Sequence, residues 1–117
     1  DLFAYNSLSE ARLGTGNTFD VITDFNTRDR ILAPLSVETD RIASSIGNIT
    51  SLSESSITSL LNAGSFAANS VAAFTVSGRV GTFMAMNDGR DGFQAESDAI
   101  LFLQNYAVSS ANFVDFA

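Results

Sequence analysis

Three aspartates near the start of the chain, Asp20, Asp24 and Asp29, carry carboxylates that are suited to a hard cation. Calcium binds such oxygens, and it is the metal that we expect for them outside the cell. On a straight strand Asp20 and Asp24 lie about 13 Å apart, too far to share an ion with oxygen contacts of about 2.4 Å. Asp24 and Asp29 flank the turn 26–28, which allows them to converge. The alternative is that they bond the turn backbone and pair with neighbouring arginines.

A second group of oxygen donors follows in the segment Asn87-Asp88-Gly89-Arg90-Asp91-Gly92. It superficially resembles an Asp-x-Asn-x-Asp-Gly calcium loop, with oxygens from Asn87, Asp88 and Asp91. Arg90 places a positive charge among these donors, and no Glu stands where an EF-hand needs its bidentate ligand. Asn-Asp-Gly and Asp-Gly are also ordinary turn residues. A turn and a weak metal site at Asp88 and Asp91 are therefore the two interpretations.

Carboxylates also hydrolyse glycosidic bonds when two of them lie about 5–9 Å apart in a cleft. The densest acidic group is Asp88, Asp91, Glu96 and Asp98, but no pattern around it is typical of a raised pKa. The chain of 117 residues has no His, Cys or Lys. This excludes serine–histidine triads, cysteine nucleophiles, Schiff bases and thiolate metal sites. We expect a protein that is not an enzyme.

The charge of the chain is strongly acidic, with 13 carboxylates against six arginines and a net charge of −7. Such a chain repels nucleic acid and anionic lipid surfaces, although the same charge also serves solubility alone. There is no run of about 18 apolar residues, so we expect no membrane insertion. A basic start followed by an apolar core is also missing, so we expect any export information to lie elsewhere, such as at the other end.

The elements that hold these residues are mainly strands, interrupted by a long polar loop over 7–18. In the segment 19–25 the alternation predicts Phe19, Val21, Thr23 and Phe25 on one face and Asp20, Ile22 and Asp24 on the other. Residues 73–76 and 82–86 suggest a hairpin. The predicted strands are Leu2–Tyr5, Phe19–Phe25, Arg30–Ala33, Ala73–Val76, Thr82–Met86, Asp98–Gln104 and Phe113–Phe116.

Helical patterns occur in the middle of the chain. Over 36–53, apolar residues spaced by three or four permit short helical turns. A clearer helix covers about 54–63, with Ser53 as its N-cap, Ile57, Leu60 and Leu61 as its buried stripe, and Gly64 at its C-terminus. Five phenylalanines at 66, 74, 83, 93 and 102 are better explained as core than as a sugar-stacking platform. The fold class is a mainly β, β-sandwich or flattened β-roll-like domain with one short helix.

The first third of the chain resembles the segment that follows the calcium repeats of RTX proteins. Its pattern is Asp1-x-Phe3-x-Tyr5, then Asp20-x-Ile22-x-Asp24-Phe25, then Asp29-x-Ile31. It is similar to the C-terminal region of serralysin-type proteases, where the last repeat ends in an aspartate before an aromatic strand. The resemblance implies that Asp1 is that aspartate and that Asp24 is the best calcium ligand, at the junction with the repeats.

The second half resembles the "bluetail" domain, a C-terminal module of large cyanobacterial surface proteins that often carry RTX repeats. The matching residues are Gly81–Gly89, Gly92–Ala95 and Ser97–Ile100, and the likeness extends from Phe3 to Val114. No Gly-Gly-x-Gly-x-Asp repeat lies inside the chain, so calcium binding by such repeats does not transfer to it.

These resemblances imply one domain over 1–117, preceded by RTX repeats, in an extracellular or cell-surface protein. Its partners would be those repeats and export machinery, and its role capping and export without catalysis. Phe113, Val114, Asp115 and Phe116 resemble the uncleaved export signals of one-step bacterial exporters, although apolar residues ending a strand look much the same. The alternative function is an adhesion or polysaccharide-binding module of a surface protein.

Overall fold

A computed structural model describes residues 1–13, 19–34 and 41–117. The end of the predicted loop 7–18 and the start of the segment 36–53 lie outside these residues. The described residues form nine strands, a 3₁₀-helix and an α-helix. In chain order they are β1 (Leu2–Ala4), the 3₁₀-helix (Leu8–Ala11), β2 (Asp20–Ile22), β3 (Arg30–Leu32), β4 (Arg41–Ile42), β5 (Asn48–Ile49), α1 (Glu54–Leu60), β6 (Val71–Val76), β7 (Gly81–Met86), β8 (Ala99–Gln104) and β9 (Val114–Phe116).

The strands form two mixed sheets. The four-stranded sheet has the order β1-β3-β9-β4, in which β1, β3 and β9 are parallel and β4 is antiparallel to β9. The five-stranded sheet has the order β2-β8-β7-β6-β5, with antiparallel β6, β7 and β8 flanked by two parallel edge strands. This arrangement confirms the prediction of a mainly β, sandwich-like fold with one short helix.

The five-stranded sheet is buried on both faces, because it lies between two apolar clusters. One cluster joins it to the four-stranded sheet and contains Met84, Leu101 and Phe116. The other covers its second face with α1 and loops, and includes Phe83 and Ile100. Two-sided burial explains the nearly continuous apolar sequences of β7 and β8, since neither strand has a solvent face to carry polar residues.

The five phenylalanines predicted as core are buried: Phe66, Phe74, Phe83, Phe93 and Phe102 are each at most 5% exposed. Three of them stack in a row across β6, β7 and β8, with ring centroids 5.4 Å apart for Phe74 and Phe83 and 4.4 Å apart for Phe83 and Phe102. The prediction of packing, rather than of a sugar-stacking surface, is confirmed.

The helix α1 begins where the sequence places it. Ser53 accepts a hydrogen bond from the backbone N–H of Ser56 (3.2 Å) as an N-cap, and Ile57 and Leu61 are fully buried while Leu60 is half-buried. The helix ends at Leu60 rather than at 63, and Gly64 is not left-handed. The reason is a side-chain cap: the hydroxyl of Ser65 donates to the Leu60 carbonyl over 2.6 Å, which satisfies a terminal carbonyl without a glycine.

The predicted faces of the segment 19–25 are wrong in part. β2 covers only Asp20–Ile22, and Ile22 points into the core while Val21 is 47% exposed. Phe25 is buried in the same cluster as Ile22, although strict alternation placed the two on opposite faces. The strand ends after Ile22 and the chain bends, so the period of two does not continue to Phe25.

The helical turns predicted between 36 and 53 are also wrong where the structure describes them. The chain there forms the short strands β4 and β5. Backbone pairing with β6 fixes the second of these, since Thr75 donates to the carbonyl of Gly47 (3.0 Å) and Ser77 to that of Ile49 (2.9 Å). Ile46 is 47% exposed, so the apolar spacing of three and four does not mark one buried face.

Candidate functional site

The end of the sandwich formed by β1 and β2 has the geometry of one coil of a two-sheet solenoid. The chain runs from β1 in the four-stranded sheet to β2 in the five-stranded sheet and returns to β3, beside β1. β1 pairs in parallel with β3, and β2 pairs in parallel with β8. Both β1 and β2 are edge strands of their sheets. Parallel strands that alternate between two sheets are the repeating unit of a β-solenoid.

The two edges lie at the same end of the molecule, as contacts between them show. The rings of Phe3 in β1 and Phe25 after β2 have centroids 6.0 Å apart. Tyr5 follows β1, and burial together with the nearby Asp20 carboxylate at the start of β2 raises the pKa of Tyr5 to about 12. We name this end, formed by β1, β2 and the side chains on them, the open end.

Hydrogen bonds along β1 define which of its backbone groups face outward. Asp1 accepts from Arg30 N–H (2.9 Å) and Tyr5 donates to the Leu32 carbonyl (3.0 Å), so the odd-numbered residues bond β3. Because successive residues of a strand direct their N–H and C=O groups to opposite sides, those of Leu2 and Ala4 point to the open edge. Within residues 1–13, 19–34 and 41–117 no strand pairs with that edge. Leu2 is also 55% exposed.

Asp29, predicted as a metal ligand, is instead a backbone anchor at the open end. It is 4% exposed, and its Oδ1 lies 2.5 Å from the Asp1 amino nitrogen while its Oδ2 accepts from Asn26 N–H over 3.0 Å. In residues 1–117 alone, the hydrogen bond from the Asp1 amino group, helped by that of Asn26, holds the pKa of Asp29 below its usual range. Asp29 therefore fixes the entry of the chain into β1, as the turn-bonding alternative expects.

The other aspartates predicted near this end are exposed. Asp24 and the side chain of Asp1 both face solvent. Across the described part of the chain, no three acidic groups come together in a way that could hold a metal ion. The residues at the open end do not fit a calcium site by themselves.

The loop 87–92 adopts the turn interpretation. Asp88 Oδ1 accepts from Arg90 N–H (3.0 Å), with the Arg90 guanidinium 3.6 Å from Oδ2, and Asp91 Oδ1 accepts from Ala68 N–H (2.9 Å). Two buried amide oxygens, of Asn87 and Gln94, have no hydrogen-bond partner among the described residues. Calcium needs six to eight oxygens with carboxylates among them, and the carboxylates here are engaged by N–H donors, so this loop does not fit calcium either.

Asp98 is the chemically unusual residue that sequence reasoning placed only in a dense acidic group. It is fully buried, and its two oxygens accept from Asp88 N–H (2.9 Å) and Gln94 N–H (2.7 Å). Burial and the nearby Asp88 carboxylate raise its pKa, and the two backbone hydrogen bonds lower it. The net result is a pKa of about 6. A signal was available: Asp98 directly precedes the apolar strand β8, where a charged residue needs local partners.

The pair of Asp88 and Asp98 has the pKa pattern of an acid and a base. Burial raises the pKa of Asp88, but hydrogen bonding, including that from Arg90 N–H, and the charge of Arg90 outweigh burial and lower the pKa overall. Opposite shifts in neighbouring carboxyls are typical of catalytic pairs. Here, however, both oxygens of Asp98 hold backbone N–H groups away from solvent. The pair closes the loop 88–98, with Asp98 fully buried and the side chain of Asp88 partly exposed.

Three of the four residues predicted as an export signal form the central strand β9, and Phe113 directly precedes it. Val114 and Phe116 are buried, and β9 lies between β3 and β4. Asp115 accepts from Arg41 Nε over 3.0 Å, and the Arg41 guanidinium lies 3.8 Å from the centroid of the Phe113 ring. Core packing, the other interpretation of these residues, is therefore their role in this fold.

Comparisons of the chain with family models, with curated proteins and with solved structures give no match. The resemblance to bluetail and serralysin-type segments stays a prediction from the residues. In the described residues, no helix is long and apolar enough to cross a membrane.

Proposed function

We propose that this chain is a non-catalytic module that caps the end of a parallel, two-sheet β-solenoid in the same protein. The observation that supports it best is the path of β1, β2 and β3, which alternates between the sheets and leaves two edge strands at one end. A preceding coil of the same hand and strand direction would add one strand to β1 and one to β2.

The physical need for such a cap lies in the last coil of a solenoid. That coil exposes unpaired backbone groups and apolar side chains, which promote aggregation unless another element covers them. The open end offers complementary groups: the outward N–H and C=O of Leu2 and Ala4, and the exposed side chains of Leu2 and Val21. The opposite edge of the five-stranded sheet differs from the open end, because helix α1 contacts the edge strand β5 there.

The proposal places the module in an extracellular or cell-surface protein with RTX repeats upstream. Calcium then belongs to those repeats, with the exposed Asp24 at the junction. Export through a one-step transporter remains a proposal for the segment 113–116. Since β9 is a central strand, deleting it would unfold the four-stranded sheet, so substitution of the half-buried Asp115 tests export more cleanly than truncation does.

Hydrogen exchange tests the cap. In residues 1–117 alone, the amides of Leu2 and Ala4 should exchange rapidly, while those of Phe3 and Tyr5 are protected by β3. In the parent protein that includes its upstream coils, we expect Leu2 and Ala4 to become protected as well. If their exchange is equally fast with the upstream coils attached, no strand adds to β1 and the proposal fails.

A pair of surface variants provides the control. Val21→Lys on the edge strand should leave the stability of residues 1–117 unchanged, because Val21 is 47% exposed, and should lower the protection of Leu2 and Ala4 in the longer protein. Val80→Lys makes the same change at a 74% exposed residue of the β6–β7 hairpin and should alter neither quantity. Equal effects of the two variants would contradict docking at the open end.

A further inference from the structure

A pocket of about 420 Å³ opens on the outer face of the four-stranded sheet. It is lined by Arg30 of β3, Arg41 of β4, and Asp115 and Phe116 of β9. The register places Arg30 opposite Asp115 and Asp115 opposite Arg41, so the three charged side chains form one row across neighbouring strands. Its volume lies in the range of about 300–1,000 Å³ that is usual for small-ligand sites.

Arg41 is held in one orientation by two contacts. Its Nε donates to Asp115 Oδ1 over 3.0 Å. Its guanidinium lies over the Phe113 ring, with Arg41 Cζ 3.8 Å from the ring centroid. An arginine fixed through Nε keeps the N–H groups of both Nη atoms for another acceptor. A planar fork of this kind matches the two oxygens of a carboxylate and loses little side-chain entropy on binding.

The charge at this pocket is opposite to that of the molecule. Among the described residues that line the pocket, two guanidinium groups flank one carboxylate, a balance of +1, in a chain whose net charge is −7. One third of the six arginines of the chain therefore lie in this one row. The two guanidinium groups outnumber the carboxylate between them, so an anion meets a locally positive field at these residues.

We propose that this pocket binds the carboxylate of a sugar acid, such as a uronic acid residue of an acidic polysaccharide. Arg41 receives the carboxylate through its two Nη atoms, and Arg30 contacts it from β3. Asp115 serves two purposes: it orients Arg41 and accepts a hydrogen bond from a sugar hydroxyl. Charged groups line most of the pocket, which suits a hydroxylated ligand better than an apolar peptide side chain. This inference is independent of the cap, and it would give the adhesion alternative a physical site.

Titration of residues 1–117 by ¹⁵N NMR with digalacturonate tests the proposal. We expect shifts at the side-chain Nε–H of Arg41 and at the amides of 114–116, with binding weakened at least tenfold in Arg30→Gln and in Arg41→Lys, which keeps the charge and removes the fork. Arg28→Gln removes an equal charge outside the pocket and should leave binding unchanged. Backbone spectra of each variant show whether it is folded.

Matched ligands separate the parts of the proposal. Neutral digalactose should not bind, and acetate should bind at least tenfold more weakly than digalacturonate. Equal binding of acetate, or of a peptide with a free C-terminal carboxylate, would show that the site does not recognise the sugar and would overturn this ligand class. Absence of any shift with digalacturonate, or equal loss in Arg28→Gln, would overturn the site itself.

Discussion

Replacing Asp98 by asparagine will remove a component of the pH dependence of folding between about pH 4 and pH 7. The pKa of this carboxyl is about 6 in the folded protein, against about 3.9 in an unfolded chain. At about pH 3 and below it is largely protonated in both states, and its favourable contribution is fully present. As the pH rises through 6, the folded protein must ionise a buried group, so the contribution is lost.

The size of the effect follows from the difference between the two pKa values. About two pKa units correspond to about 3 kcal/mol, since each unit is worth 1.36 kcal/mol. Asp29 and Asp88 act in the opposite direction, because their pKa values are lowered in the folded state. Their stabilisation is present above the unfolded pKa and is lost as the pH falls through the folded one. The wild-type protein should therefore be most stable between about pH 4 and 5.

Urea unfolding followed by circular dichroism measures this component when the variant is subtracted from the wild type. At constant ionic strength, we expect the free energy of unfolding of the wild type to fall by about 2 kcal/mol relative to Asp98→Asn from pH 4 to pH 7, because part of the full effect already appears below pH 4. Any constant loss from the altered hydrogen bonds to Asp88 and Gln94 cancels in the slope. Asp24→Asn removes an exposed carboxylate and controls for net charge.

Two parallel stability curves for the wild type and Asp98→Asn would refute the reasoning, since they would mean that Asp98 titrates alike in the folded and unfolded states. A wild type that gains stability over the variant as the pH rises would reverse the sign. In that case the two N–H donors, rather than burial, would control the carboxyl.

Three further predictions concern packing and metal binding. Gly81→Ala should destabilise the protein by about 3 kcal/mol in urea unfolding, because φ at Gly81 is +138° and a Cβ there would overlap the Leu103 carbonyl oxygen. Gly89→Ala is the control: a Cβ at Gly89 meets nothing within 4 Å, so this variant should be nearly neutral. Phe116→Ala should cost about 3–5 kcal/mol, and a loss below 1 kcal/mol would contradict its place in the core. Calcium should raise the melting temperature of the protein with its upstream repeats, while the melting temperature of residues 1–117 alone should change little. If calcium raises the melting temperature of residues 1–117 by several degrees and Asp24→Ala abolishes this rise, these residues contain a calcium site.

Much of the fold could be predicted because its strongest signals are local. The apolar runs 83–86 and 100–103 give strands whichever face they present, since both faces are buried. Ser53 caps α1 through a partner three residues away. The turn chemistry of Asp88 follows from a residue type that commonly bonds nearby backbone.

The rest depended on partners that are distant in sequence. β5 is a strand because β6, more than twenty residues further on, supplies its hydrogen bonds. The faces of β2 follow from where the strand stops, which the alternation of Val21 and Ile22 does not encode. The row of Arg30, Arg41 and Asp115 exists only because three separate strands align. No local sequence pattern predicts such a site.

The central position of β9 bears on the order in which the molecule is assembled. Arg30 pairs with Asp115, a separation of 85 residues, and neither β3 nor β4 has its β9 partner until residues 114–116 are available. Contacts this distant must overcome a large loop-closure entropy, so they form slowly and late. A nascent chain can therefore pair β6, β7 and β8 before β9 is available to complete the four-stranded sheet. During that interval the apolar face that β9 later covers is exposed, and the chain is most vulnerable to aggregation and proteolysis.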